Sequence, residues 1–318
     1  MPSEWLPSPL VGEGLGVRGS IERDFLMTDS LLIHSHTPDA NGSFASVTAE
    51  QAGWQYLNMD AFRLSTGQTR SGQTDGYEQV WVLLGGQCRF RSNTQDFGVM
   101  GRRPNVFSGM PWAVYLSRHS TYEIEAVSDT LEIATCWVMT DEDHPAQLIP
   151  PQDSPIEIRG GGTATRQING IIPPGFDCQR LICVEVYTPP GHWSSYPPHK
   201  HDVHRVDETG KVLEADLEEI YFYKIDPADG FAYQRVYTSD GKIDSLMLAR
   251  QHDAVLVPEG YHPVASPPGY TTYYLNFLAG SAQSLANMDD PQLAWVKNSW
   301  GAPDPRLPLV HLGMENNG

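Results

Sequence analysis

The sequence predicts an all-β protein made of two successive β-sandwiches or barrels. Short segments rich in Val, Tyr, Trp and Phe are punctuated by Gly, Asn and Pro, and no apolar repeat of helical period is long enough for a sizeable helix. A breaker-rich passage from His144-Pro145 through Pro150-Pro151 to Gly160-Gly161-Gly162 divides the chain. Its 318 residues suit two domains of roughly 150 residues.

Residues 1–26 contain Pro7-Ser8-Pro9-Leu10-Val11-Gly12, turn-formers without an apolar period and without the charged lead and hydrophobic stretch of a signal peptide. They are expected to be an appended or disordered segment, with Met27 as the natural start. Residues 27–155 form the first domain, in which Tyr77 to Gly86 reads as a strand with its turn and Val106 to Leu116 as two strands joined at Gly109 and Pro111. Residues 156–300 form the second. Its strands are Leu181 to Thr188, a histidine-bearing strand at 199–202, Ile220 to Ile225, Phe231 to Thr238, Ala254 to Val257 and Thr271 to Leu278. Residues 301–318 are expected to be a C-terminal tail. The two halves follow one order, in which Glu78-Gln79-Val80-Trp81 corresponds to Glu219-Ile220-Tyr221-Phe222 and Pro111-Trp112 to Pro258-Glu259. Where the second half has its histidines, the first has Thr69-Arg70-Ser71-Gly72.

Lys and Arg number 21 against 39 Asp and Glu, a net charge of -18 that would repel nucleic-acid phosphates. No basic run provides a nucleic-acid or membrane footprint. The apolar stretch Tyr261 to Met288 contains Pro263, Pro267, Pro268 and Gly269 and cannot be a spanning helix. Cys88, Cys136, Cys178 and Cys183 are too scattered for a disulfide framework. A soluble cytoplasmic protein is the expectation.

His199-Lys200-His201 places two imidazoles on one side of an extended strand. With Glu219 and His262 they make a mixed nitrogen and oxygen set that suits zinc, manganese, iron, nickel or cobalt. A single histidine on a sheet is ordinarily a plain polar residue, but here a His-x-His pair, a strand-opening Glu and a Pro-x-Gly-x-His turn occur in order. Alternation puts Glu219 with Tyr221 and Tyr223 on one face and Glu218 with Ile220 and Phe222 on the other. The Phe222 side should be core, which favours Glu219 over Glu218 as ligand. His204 and His192 read as loop or turn residues, His252 as a surface residue, and His34-x-His36 as a pair without a partner pattern.

This motif order resembles that of the cupin superfamily, small antiparallel barrels of jelly-roll type. The long interval between His201 and Glu219 departs from the generic pattern and narrows the resemblance. Trp193 to Asp202, Leu217 to Tyr223, Gly230 to Thr238 and Asp253 to Ala265 closely resemble the 5-deoxy-glucuronate isomerases of bacterial inositol catabolism, and more loosely the 4-deoxy-5-ketouronate isomerases of pectin breakdown. The resemblance covers about Met27 to Trp300. It implies a bicupin of two antiparallel jelly-roll β-barrels, the N-terminal one without metal ligands. The C-terminal barrel would hold one divalent metal ion, zinc or manganese, through His199, His201, Glu219 and His262.

The reaction so implied turns 5-deoxy-D-glucuronate into 5-dehydro-2-deoxy-D-gluconate, with the metal as Lewis acid and no organic cofactor. The substrate is a small anionic sugar acid, and a homo-oligomer is within expectation. Tyr221, Tyr223 and Gln234 are the candidate catalytic groups. Arg235, Lys200, Tyr274 and Arg180 are the candidate substrate-binding groups, although alternation points Lys200 away from the ligands. Arg166 stands in reserve beside Arg180, Asn276 shares a strand face with Tyr274 at the expected barrel mouth, and Glu185, on the strand before the histidines, is a possible base that is not favoured. Rival readings are the pectin-pathway isomerase, an oxygen-dependent iron cupin and a sugar sensor without chemistry.

Overall fold

Strands carrying apolar groups on both faces must be covered on both, and that requirement organises the chain. The computed structural model describes residues 31–314, so the expected appended segment, residues 1–26, lies outside the described residues. Every strand pairing among the described residues is antiparallel, and their α-helix is the single turn Ala49–Ala52, closed by a capping box between Thr48 and Gln51.

In the first half a six-stranded sheet runs in the order Gln147–Ile149, Trp112–Leu116, Tyr77–Gly85, Thr130–Met139, Asn58–Ser65, Ser43–Val47. A four-stranded sheet of Thr69–Gln73, Thr121–Ala126, Cys88–Ser92 and Asp96–Met100 covers its inner face, with Trp81, Phe90 and Ile124 packed between them. The second half repeats the plan. An eight-stranded sheet holds Leu32–Ile33, Ala254–Val257, Val212–Asp226, Thr271–Gly280, Ile182–Thr188, Arg166–Ile172 and Ile156–Arg159 in that order, with Asp202–Val206 alongside Val212–Asp226. Its inner face meets a four-stranded sheet of Trp193–Ser194, Val264–Ala265, Phe231–Tyr237 and Asp244–Arg250. The outer faces of the two large sheets bury a third core against each other, including Val80, Val82, Ile220, Phe222 and Leu275.

The break expected near residue 155 separates the sheets, but the first lead-in strand crosses it. Leu32–Ile33 pairs with Ala254–Val257 of the second half, and Gln147–Ile149 pairs with Trp112–Leu116 of the first. The first half thus lends its leading strand to the sheet of the second. Residues 301–314 are no free tail: Val310 is buried in the core between the halves, and the Leu309 and Val310 N–H groups donate to Gln167.

Two carboxylates show the register of the repeat. Glu78 accepts the backbone N–H groups of Gln179, Arg180 and Leu181, and Glu218 accepts those of Gln55, Tyr56 and Leu57. Each therefore fastens its own half to the other, and Glu78 corresponds to Glu218 rather than to Glu219. The expected alignment was off by one residue because a Glu-Glu pair offers two registers and only the side-chain faces separate them. Gln79 then corresponds to Glu219, and the Gln79 to Thr135 hydrogen bond mirrors that of Asn276 to Glu219.

Candidate metal centre

The His-x-His segment is not one continuous strand. His199–Lys200 pairs with Met288–Asp289, and from Asp202 the chain pairs with Val212–Asp226. His201 sits at the changeover, where its carbonyl accepts Leu217 N–H and its Nδ1 donates to the Leu217 carbonyl at 3.2 Å. That hydrogen bond turns Nε2 inward.

His262 is set by its turn. Gly260 has a φ of 89°, and a Cβ there would lie 2.4 Å from the Tyr237 carbonyl oxygen, so the position requires glycine. Its N–H donates to Asp202 Oδ2 at 2.9 Å, and its carbonyl accepts His262 Nδ1 at 2.9 Å. The remaining His262 nitrogen, Nε2, is buried without a hydrogen bond.

The ligand atoms of His199, His201 and His262 lie within 4.8 Å of one another. Glu219 joins them, with Oε2 at 2.9 Å from His201 Nε2 and 3.3 Å from His262 Nε2. Its other oxygen accepts Asn276 Nδ2 at 2.6 Å. An orphaned buried imidazole nitrogen, two Nδ1 atoms committed to carbonyls and a braced carboxylate fit a divalent cation, because such ligands need an outer hydrogen bond to fix ring orientation. The histidine cluster is able to hold a metal ion.

Burial, reinforced by the neighbouring imidazoles, pushes His199 well below the ordinary histidine range. Burial likewise pulls His262 down to about 4, against the opposing pull of Glu219. Burial also acts on His201, but its hydrogen bond and charge interaction with Glu219 outweigh it and hold this histidine above its ordinary value. Burial raises the phenols of Tyr221 and Tyr274, so both stay protonated and can donate.

His199, His201, Glu219, Tyr221 and Tyr274 border one cavity of about 60 Å³, with His262 buried behind it. That space exceeds the ~10–15 Å³ one water needs and falls below the ~300 Å³ of pockets that engulf a ligand. A larger cavity of about 680 Å³ beside Trp54, Tyr56 and Glu218 contains none of the histidines.

Several expectations need correction. Tyr223 and Gln234 hydrogen-bond each other at 2.8 Å within the buried core and do not border the cavity. Arg235 lies outside, paired with Asp244 at 2.8 and 2.9 Å and stacked on Tyr237, because its strand points alternate residues outward. Lys200 pairs with Asp202 and Glu214, so it braces the carboxylate that holds Gly260 and does not border the cavity. Arg180 lies over Tyr56 at the junction of the halves. Glu185 is buried there too, paired with Arg103 at 2.5 Å. His252 is stacked on Phe222 and so is not a surface residue, and His204 lies within the strand Asp202–Val206 rather than in a loop.

Arg166, held in reserve, and Asn276, expected at the barrel mouth, do border the cavity, as do Arg159, Ser195 and Asn287, for which the sequence held no signal. Ser195 has a φ of 53°, uncommon for a residue with a side chain. No spacing rule pointed to Arg159. It comes to the site through its pairing opposite Arg166 across two strands.

The profile of the KduI/IolB family matches residues 31–296. A 5-deoxy-glucuronate isomerase of Geobacillus thermodenitrificans is 42% identical over 269 residues, covering 84% of this chain and 96% of that protein. One from Halalkalibacterium halodurans is 37% identical over 252 residues, covering 79% and 91%. Among solved structures, an IolB-like protein from Salmonella typhimurium superposes with a TM-score of 0.79 at 34% identity, over 84% of this chain and 99% of that one. Oxalate decarboxylase of Bacillus subtilis, described with Mn(II) centres, matches at a TM-score of 0.56 and 14% identity over 91% and 93%, a likeness of fold alone.

Proposed function

The chain belongs to the KduI/IolB family, and from that membership we propose that it is a 5-deoxy-glucuronate isomerase, converting 5-deoxy-D-glucuronate to 5-dehydro-2-deoxy-D-gluconate in myo-inositol catabolism. The observation that carries the reading is 42% identity to an enzyme of that name over 84% of this chain, a span that includes every candidate ligand. Each half is read as a jelly-roll barrel of cupin type, the second one metal-binding. Among the described residues no helix is long and apolar enough to cross a membrane, and the four cysteines are free and buried, which suits a cytoplasmic enzyme.

His199, His201, Glu219 and His262 would hold one divalent ion, zinc or manganese. When bound, such an ion supplies Lewis-acid polarisation of an aldehyde and its neighbouring hydroxyl. Asn276 keeps Glu219 oriented, and the Gly260 and Leu217 carbonyls keep Nε2 of His262 and His201 turned towards Glu219. Tyr221 and Tyr274, held as phenols, can donate to a substrate oxygen on which negative charge develops. Ser194 fixes the Tyr274 hydroxyl, and Ser195 lies 3.5 Å from that of Tyr221.

The test is a coupled assay on 5-deoxy-D-glucuronate under anaerobic conditions, before chelation, after it, and after return of zinc or manganese. Turnover that disappears and returns with metal supports the reading. Turnover confined to 4-deoxy-5-ketouronate, or a requirement for oxygen, would replace it.

A further inference from the structure

Beside the histidine cluster the cavity carries a charge that metal binding leaves unused. Arg166 is 6% exposed, borders the cavity, and its guanidinium makes no hydrogen bond or ion pair with any described residue. Its cross-strand partner is another arginine, Arg159, also at the cavity. Like charges directly opposite each other destabilise a sheet, and an unpaired buried charge is costly. Glu157 answers only part of this: both of its oxygens are taken by Arg159, at 2.9 and 2.7 Å. The guanidinium of Arg166 is left for an anion from outside the chain. The nearby charges and dipoles that reach it are the Tyr274 and Tyr221 phenols, Arg159 and Glu157, and both arginines bear in turn on His199.

We infer that Arg166, with Arg159 in support, is the carboxylate anchor of the substrate: a sugar acid, which the cavity of about 60 Å³ must widen to admit, binds with its carbonyl end at the histidine cluster and its carboxylate at the arginine end. The inference rests on the isomerase reading and adds to it the residue that selects a uronate over a neutral aldose. A guanidinium suits the task, since its planar donors meet both oxygens of a carboxylate, which an ammonium cannot do. It also accounts for a local cationic site in a chain whose net charge of -18 would otherwise repel an anionic substrate.

Calorimetric titration of D-glucuronate and D-glucose into the wild type, Arg166→Met, Arg166→Lys and Arg159→Met, combined with steady-state kinetics on 5-deoxy-D-glucuronate, tests the anchor. The wild type should bind glucuronate more tightly than glucose. Arg166→Met should abolish that preference and raise KM about 10- to 100-fold, the worth of a charge-assisted hydrogen bond, with kcat changed far less. Arg166→Lys should fall between wild type and Arg166→Met, and Arg159→Met should show a smaller loss. Equal binding of the two sugars by the wild type overturns the inference, as does an unaltered preference in the Arg166 variants. If circular dichroism shows Arg166→Met unfolded, Arg166→Lys and Arg159→Met decide, and wild-type affinity and KM in both overturn it. A wild type that prefers glucuronate yet turns over no 5-deoxy-D-glucuronate refutes the isomerase reading and leaves the anchor in place.

Discussion

His262 is held from two directions, by the Gly260 carbonyl at Nδ1 and by the chain of Lys200, Asp202 and Gly260 behind that carbonyl. His262→Ala should therefore abolish metal uptake while the fold persists, measured as metal content against circular dichroism. Asp202→Asn disturbs only the brace and should weaken metal affinity about 10- to 100-fold, read by competition with a chelating dye. The pH dependence follows from opposite shifts. With its folded pKa near 4 against an ordinary 6.5, His262 contributes stability above 6.5 that is lost as pH falls towards 4. His201 is shifted upward by its hydrogen bond and charge interaction with Glu219, so a metal that takes its Nε2 would compete with a proton there. Calorimetry of zinc binding near pH 7 in buffers of different ionisation enthalpy should show that proton. No dependence on buffer would contradict the geometry.

The strand Val212–Asp226 gives adjacent glutamates unrelated tasks through alternation alone. Glu219 faces the histidines, and Glu218 faces the other half, where its carboxylate gathers three backbone N–H groups. Glu219→Gln should lower metal content with little effect on melting, whereas Glu218→Gln should cost about 1–3 kcal/mol of stability and leave metal content unchanged. Reversed readouts would show the strand register to be wrong. Alternation was readable in the sequence, so the faces of Tyr221, Phe222 and Glu219 followed from it. It could not show that both faces are cores, since a sheet with one solvated face alternates in the same way.

Two halves joined by an apolar core are further tied by buried ions. Glu132 of the first half meets Lys224 and His252 of the second and Arg63 of its own. Burial opposes its ionisation, but those cationic partners prevail and hold it far below the usual carboxylate range. A depressed carboxylate gives stability that is present above its unfolded pKa of about 4.3 and lost as pH falls below it. Glu132→Gln should therefore flatten the acid limb of the stability curve. It should also cost about 3–5 kcal/mol at neutral pH, because Lys224 is left buried and unpaired. Chemical denaturation across pH checks both, and an unchanged acid limb would remove Glu132 from the junction.

The sequence alone determined the all-β class, the division into two repeating halves and the four side chains that meet in the histidine cluster. Each depends on residue type at fixed spacing: period-two alternation, turn-formers, His-x-His and Pro-x-Gly-x-His. Tertiary structure alone decided what long-range strand order brings together: Arg159 opposite Arg166, the Leu32–Ile33 strand in the sheet of the second half, and Glu78 and Glu218 reaching into the opposite half. It also removed Arg235, Lys200, Tyr223 and Gln234 from the cavity. The physical reason is that alternation fixes which face a side chain takes, whereas sheet pairing across more than a hundred residues fixes what that face meets.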